Sequence, residues 1–375
     1  MANVSDLGKV PPQGPDGMSP GVHLDGDSGY ITAPPGAEPN HEDIARILEA
    51  SRLNPDDFIV DWSQRARITT QINAQGELVQ AWYKLPFHRK PERTFDVSEV
   101  LDRIHTDVPT PTAVGGDWLT VMLSDQHIGK SAAAGGGTDQ ITARWKQCVA
   151  DAVGGHSWAG INLVLGGDTI EGYVSQGGRN ITMTDLVLME QLRVARQMVS
   201  WTIQHCLTHA EQVVVAAVPG NHAETTRVQG VPMGDNYDIG IVQTVEEAMT
   251  MAGLGDRITF RYPTMNDGSV TYTLPDDTTF TVAHGHKFKG QMKGAQDWWA
   301  GHIANGRHPA ASTILLAGHF HNFQASNWTR DRWIMFAPSL ENESTWFANQ
   351  TGATSKPGVL AFTTHGGEPR GIRVV

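Results

Sequence analysis

Five short apolar runs, each closing on a small cluster of histidine, aspartate or asparagine, constrain this chain more than any other feature. Leu119–Leu123 leads to Asp125-Gln126-His127, and Ile161–Leu165 to Gly166-Gly167-Asp168. Val213–Val218 leads to Pro219-Gly220-Asn221-His222, residues 278–283 to His284-Gly285-His286, and Thr313–Leu316 to Gly318-His319-Phe320-His321. Such runs, bounded by Gly, Pro and Asp, read as buried strands. Helical periodicity is predicted at about 139–153, 184–208 and 236–252. Further strands are predicted at about 257–262, 270–275, 332–336 and 358–363. Strand–helix alternation followed by strands predicts an α/β fold with a central mixed sheet or two packed sheets. Ligands of open α/β sheets bind beyond the carboxyl ends of strands, so one sheet is expected to carry the clusters on one rim.

The chain before residue 117 has a different character. Residues 1–39 are rich in Pro, Gly, Asp and Ser and are expected to form a mobile tail. Asn40 reads as an N-cap with Asp43 near N3, opening a helix over His41–Leu53 that Asn54-Pro55 ends. Trp62–Gln71 and Leu78–Leu85 read as a hairpin around Asn73-Ala74-Gln75-Gly76, and Val97–His105 as a second helix before a linker at Pro109-Thr110-Pro111. The predicted organisation is therefore a tail over 1–39, a small helix-plus-hairpin module and linker over 40–108, and a main domain over 117–375. The module, residues 40–105, is the expected place for a protein partner.

Net charge is -12, which repels phosphate backbones at long range and leaves nucleic-acid binding to a local basic patch or to bound metal. Cys148 and Cys206 lie far apart, outside any C-x-x-C pattern, which argues against a disulfide framework or a thiolate metal site. No apolar run is long enough to span a membrane, and Met1–Gln13 has no secretory apolar region, so a cytoplasmic location is expected. Oligomeric state is not readable.

The clusters are sets of nitrogen and oxygen ligands. Asp125 and His127, like His319 and His321, are two apart and can grip one ion from an extended or turning segment. Asp168 follows two glycines that let the backbone pass close to a metal, and Asn221 offers a neutral carbonyl oxygen. Any one of these words alone is common in cores and turns; all five, in order and at strand ends, point to two divalent metals. Two such ions bring about +4, two carboxylates return about -2, and a metal-bridging hydroxide leaves about +1, which attracts a phosphate. Dimetal-dependent phosphoester hydrolysis is the expectation.

Ser124-Asp125-Gln126-His127, Gly167-Asp168-Thr169-Ile170-Glu171, Gly220-Asn221-His222, His284-Gly285-His286 and Gly318-His319-Phe320-His321 together resemble the signature of the calcineurin-like metallophosphoesterases, over roughly residues 117–340. The blocks are most similar to the branch holding DNA-repair exonucleases and phage phosphoesterases. The resemblance implies a four-layer α/β/β/α sandwich and a dimetal centre, manganese first, with iron or zinc as alternatives. It gives Asp125, His127 and His321 to one metal, Asn221, His284 and His319 to the other, and Asp168 to both. It makes His222 a catalytic group facing the scissile phosphate, as general acid or transition-state donor. Here Ala223 follows that histidine where many members have an acid. Glu171 stands where the protein-phosphatase branch has an orienting Asp, and is assigned to orient His222. Gly172 replaces that branch's phosphate-clamping Arg, which weakens a protein-phosphatase reading.

Substrate residues are less legible. Arg179, Arg227, His286 and Lys287 lie beside the blocks and could meet a substrate. Lys287, Lys289 and Lys293 interleave with Phe288, Trp298 and Trp299, which reads either as a track for a nucleic-acid strand or as a surface helix with its tryptophans in the core. Three functions follow: a phosphodiesterase or nuclease acting on DNA, a phosphoesterase for nucleotides or cyclic nucleotides, and a non-catalytic scaffold of the same fold.

Overall fold

A computed structural model describes residues 21–33, 39–72, 78–90, 95–104, 116–132, 136–228, 230–342 and 355–375. The chain divides into two compact units, Met1–Glu92 and Arg93–Val375.

In the smaller unit, α1 (His41–Ala50) opens on a capping box. Asn40 Oδ1 accepts from the Asp43 N–H at 3.0 Å and Asp43 Oδ2 from the Asn40 N–H at 3.0 Å. This satisfies two donors that a helix start leaves free. The expected tail is corrected here, because part of it is a hairpin. Strand β1 (Gly21–Asp25) pairs with β2 (Ser28–Ala33), and β2 pairs with the long β5 (Leu78–Arg89). The Gly, Asp and Ser that suggested a tail supply the tight turn between these strands. Ile31 and Ala33 lie opposite Leu85 and Tyr83, and with Ile44, Leu48, Phe58 and Phe87 they close a small core. Strands β3 (Phe58–Val60) and β4 (Ala66–Ile72) pair with the other side of β5. Trp62–Gln64, expected to be strand, is a 3-10 turn capped by Asp61. The predicted Asn73–Gly76 turn and the Pro109–Pro111 linker fall outside the described residues.

The second expected helix, α2 (Val97–Ile104), belongs with the larger unit rather than with the module. Its Val97, Val100 and Ile104 are spaced three and four apart, and this stripe joins the larger unit's core. That unit holds two sheets. The six-stranded sheet runs β16-β15-β6-β7-β8-β9, built from β6 (Trp118–Leu123), β7 (Trp158–Leu165), β8 (Ala210–Ala217), β9 (Ile258–Arg261), β15 (Leu360–His365) and β16 (Glu368–Val374). Strands β6 to β9 are parallel, joined by α3 (Thr138–Val153), α4 (Leu188–Leu207) and α5 (Tyr237–Met251). The five-stranded sheet runs β10-β11-β12-β14-β13, from β10 (Ser269–Thr273), β11 (Thr279–Ala283), β12 (Ile314–Ala317), β13 (Gln324–Thr329) and β14 (Arg332–Phe336). Its β11, β12 and β14 are parallel.

Alternation along the strands sorts the cores. Leu119, Val121 and Leu123 of β6, with Ile161, Leu163, Val213 and Val215, pack on the helices α2 to α5. Met122, Val164, Val214 and Ala216 on the opposite face meet Phe280, Val282, Ile314 and Leu316 of the second sheet. The outer face of that sheet, with Leu315, Ile334 and Phe336, packs on α6 (Gln291–Ala304) through Trp299. Strands covered on both faces must be apolar throughout, which is why they read as runs in the sequence. Asn162 crosses the middle core, accepting from Tyr272 Oη at 2.8 Å and donating to Thr120 Oγ1 at 3.3 Å.

The architecture is mixed α/β, but the expected single rim is corrected. The first three clusters follow β6, β7 and β8 of one sheet, and the last two follow β11 and β12 of the other. Helix α4 begins at Leu188 rather than 184, because residues 175–183 form a 3-10 segment. Among the described residues no helix is long and apolar enough to cross a membrane.

Candidate metal centre

The parallel strands of both sheets end beside one another, and the loops beyond them are laced together. The Asp125 N–H donates to Gly167 O and the His127 N–H to Asp168 O, both at 3.0 Å. The Gly318 N–H donates to His284 O at 2.9 Å. Asp125, His127, Asp168, His319 and His321 all have left-handed backbones, with φ of 54°, 51°, 54°, 70° and 55°. Of the extended or turning segments expected for the i and i+2 pairs, the turning form is the one present. Asp and His tolerate this region better than most residues.

Two groups of donor atoms result. In the first, Asp125 Oδ1 lies 3.3 Å from His321 Nε2, which lies 3.4 Å from His127 Nε2. Asp125 Oδ1 is fully buried. In the second, His284 Nε2 lies 3.0 Å from Asp168 Oδ2 and 3.2 Å from Asn221 Oδ1. Ligand atoms of Asp125, His127 and His321 lie mutually within 4.8 Å, as do those of Asp168, His284 and His319. Asp168 also groups with His127 and His222, so it stands between the two sets.

Neighbours hold these side chains in place. Asp125 Oδ2 accepts from Ser124 Oγ at 2.6 Å and from the His319 N–H at 2.8 Å. Asp168 Oδ1 accepts from the His222 N–H at 2.7 Å. A Cβ on Gly220 would sit 2.1 Å from Asp168 Oδ1, so only glycine fits there. The Nδ1–H of His284 donates to Gly166 O at 2.8 Å. The Nδ1–H of His127 donates to Glu171 Oε2 at 2.9 Å, and His321 Nδ1 lies 2.7 Å from Glu341 Oε1. Glu341 is also ion-paired with Lys130.

His222 lies at the edge of the cluster, its side chain 18% exposed. Its Nδ1 is 3.2 Å from each of Glu171 Oε2, Glu171 O and Ser175 Oγ, which leaves Nε2 as the free nitrogen of the ring. Glu171 thus touches His222 as expected, and it also holds His127, which was not expected.

Burial and charge pull these groups in opposite directions. Burial would raise the carboxyls of Asp125, Asp168 and Glu171, but adjacent imidazoles hold all three below the usual range, and Glu341 is held down to about 2 mainly by His321. Burial would lower the imidazoles. Asp168 and Glu171 nevertheless raise His222 to about 9, Asp168 and Asp125 raise His284 to about 9, and Glu341 and Asp125 raise His321 to about 10. Among the described residues Lys130 is the only Lys or Arg paired with any of the four carboxylates. Buried Asp125 Oδ1 and Asp168 Oδ2 converge with imidazole nitrogens and the Asn221 amide oxygen, the donor set a divalent cation takes. The residues fit a pair of divalent ions held by imidazole, carboxylate and amide.

Two contributors were missed in the sequence. Buried Asp238, at the start of α5, accepts from the N–H groups of Asp168, Thr169 and Gly220 at 2.9, 3.0 and 2.9 Å, pinning the second and third loops. Asn236-x-Asp238 at a predicted helix start was the available signal. Glu341 follows β14 just as the other blocks follow their strands, but it lies outside any recognised word.

The expected substrate residues divide. Arg227, His286 and Lys287 line a cleft of about 360 Å³ that runs past Gly220 and Asn236. Arg227 is committed to structure there, donating to Asn221 O at 2.8 Å and pairing with Glu224 at 3.0 Å. Arg179 is exposed and does not line this cleft. Of the two readings of the Lys-aromatic stretch, the helix with its tryptophan in the core fits: Phe288 and Trp299 are core residues against β12 and β14, Trp298 is half-buried, and Lys293 pairs with Asp297.

No protein-family model and no curated protein matches the chain. Solved structures similar to it include a dimetal phosphatase from Danio rerio, with TM-score 0.35, 8% identity, and coverage of 66% of this chain and 93% of that one. Wild-type Vps29 complexed with zinc from Entamoeba histolytica has TM-score 0.30 and 12% identity, covering 67% and 88%. A predicted phosphoesterase from Streptococcus pneumoniae has TM-score 0.30 and 11% identity, covering 67% and 84%.

Proposed function

We propose that this protein is a metal-dependent phosphoesterase, and specifically a phosphodiesterase. One observation carries the reading: two donor groups converge with Asp168 between them and His222 at their edge. The layers of helix, sheet, sheet and helix around them support the four-layer sandwich that the sequence resemblance implies.

Asp125, His127 and His321 would hold one divalent ion, Asn221, His284 and His319 the other, and Asp168 both; manganese is the first choice, with zinc and iron as alternatives. Bound there, the ions would neutralise charge on the phosphoryl group and bring the pKa of a bound water towards neutrality. The chain does the rest. His222 presents Nε2 to the substrate side and donates a hydrogen bond or proton to the leaving oxygen. Glu171 and Ser175 fix the ring through Nδ1. Burial of the carboxylates keeps water from screening the site.

Two substrate classes are in play. DNA is the substrate suggested by the sequence. The burial of Phe288 and Trp299 leaves only half-buried Trp298 of the expected base-stacking surface, and with the net charge of -12 this supports a smaller nucleotide diester instead. The test is hydrolysis of bis-p-nitrophenyl phosphate, a cyclic nucleotide, and labelled single- and double-stranded DNA by manganese-loaded protein, beside an Asn221→Ala/His222→Ala control. Loss of all activity in the control is expected. Wild-type protein that binds metal but cleaves none of these would point to a scaffold and sink the proposal.

A further inference from the structure

The two donor groups are backed in different ways. In the Asp125 group both imidazoles turn Nε2 inward and rest Nδ1 on a carboxylate, His127 on Glu171 at 2.9 Å and His321 on Glu341 at 2.7 Å. Those carboxylates are 3% and 1% exposed. In the other group His284 rests on a neutral carbonyl, Gly166 O, at 2.8 Å, and Asn221 is an uncharged amide. Among the described residues nothing hydrogen-bonds to the ring of His319. The first group therefore has a carboxylate behind each of its imidazoles, Glu171 shared with His222 and Glu341 with Lys130, and the second has none.

Glu341 is held for this task. Its N–H donates to Ser339 Oγ at 3.0 Å, and that hydroxyl donates to Asp125 O at 2.7 Å. Arg144 of α3 donates to Leu340 O and, at 2.5 Å, to Asn342 Oδ1, clamping both neighbours. Lys130 occupies the carboxylate oxygen that His321 does not use. A carboxylate fixed behind an imidazole sets its tautomer, orients the ring and raises the basicity of the nitrogen facing the ion.

We propose that Glu341 is a positioning residue for His321, and that the Asp125/His127/His321 group takes up its divalent ion first and holds it more tightly than the Asn221/His284/His319 group. This rests on reading both groups as a metal centre.

The test is metal binding by the full-length chain, stripped and titrated with Mn2+ and separately with Zn2+, read by equilibrium dialysis and elemental analysis. The wild type should take two equivalents, the first at least about tenfold tighter than the second. His319→Ala should lose the weaker equivalent and keep the tighter one. Glu341→Gln should weaken the tighter one by about 10–100-fold, and Glu341→Asp by less. The metal-free melting temperature of each variant reports whether it folds. A folded Glu341→Gln variant with unchanged first-equivalent affinity, or His319→Ala losing the tighter equivalent, would overturn the assignment. A wild type that binds neither metal would instead remove the metal-centre reading itself.

Discussion

Replacing Glu171 with glutamine separates two tasks that a single carboxylate oxygen performs. Glu171 Oε2 lies 2.9 Å from His127 Nδ1 and 3.2 Å from His222 Nδ1, with its side chain 3% exposed. Asn180 Nδ2 donates to Glu171 O at 3.0 Å and keeps the residue in place, so the isosteric variant should fold. Glutamine retains one acceptor oxygen but no charge. A hydrogen bond to a charged group contributes about 1.5–3 kcal/mol, or about 10–100-fold in an equilibrium or a rate. Weaker support of His127 should lower metal affinity by that factor. Loss of the charge beside His222 should lower kcat by a similar factor, because the ring loses both its orientation and part of what keeps it protonated. The assay is hydrolysis of bis-p-nitrophenyl phosphate across a range of metal concentrations, with metal content measured in parallel. Added metal should restore occupancy but leave kcat depressed. Wild-type kcat at saturating metal would refute the role at His222, and an unchanged metal dependence would refute the role at His127.

Other perturbations have equally definite outcomes. In Gly318→Ala the new Cβ would lie 1.8 Å from Ser124 Oγ and 2.6 Å from Asp125 Oδ2, so both must move. Two hydrogen bonds to a charged oxygen are disturbed, and metal affinity should fall by at least about tenfold; full metal content after desalting would contradict this. Lys287→Ala should raise KM for an anionic diester by about two- to fivefold, as expected of an exposed charge, and should leave kcat near wild type. A large fall in kcat would mean that Lys287 reaches the reacting group. His205, at the end of α4 and stacked on Trp201, is lowered to about 4 by burial and by the neighbouring His209 and Lys146. The unfolded chain takes up that proton near pH 6.5, at about the usual histidine value, so stability should fall as pH drops from there towards the folded value. Chemical denaturation at pH 7 and pH 5 should show a smaller difference in His205→Phe than in wild type.

Much of this site could be read from sequence because its parts are local. A buried parallel strand must be apolar along its whole length, so Ile161–Leu165 and Val213–Val218 announce themselves, and the polar words after them mark strand ends. What could not be read depends on tertiary approach. Nothing near Glu341 in the chain reveals that His321 will lie 2.7 Å away. Nothing near Glu171 reveals that it will meet His127 as well as His222. The order of the blocks does not say that two sheets carry them. Composition misled at residues 21–33, where Gly, Asp and Ser make a hairpin turn rather than a tail. Interleaved Lys and Trp after His284 left two readings open, and the helical spacing that exposes Lys293 carries Trp299 into the core.

The left-handed backbones connect the fold to the chemistry. Five of the eight non-glycine residues with positive φ, among the described residues, are Asp125, His127, Asp168, His319 and His321, all proposed ligands. Each such conformation costs roughly 1 kcal/mol in a chain of L-residues, so together they cost about 5 kcal/mol, which is comparable with the net stability of a small domain. That strain persists only because the surroundings over-determine it. Here they do so through the Asp238 carboxylate on three loop N–H groups, the Asp125 carboxylate on the His319 N–H, and the backbone bonds between the first and second loops. Several of these bonds end on the proposed ligands themselves, so the fold and the metal centre draw on the same contacts. The turns aim short side chains inwards from two sheets at once, and no long flexible side chain is needed to reach an ion. A ligand set built from Asp, His and Asn is therefore matched to its backbone as well as to its metals.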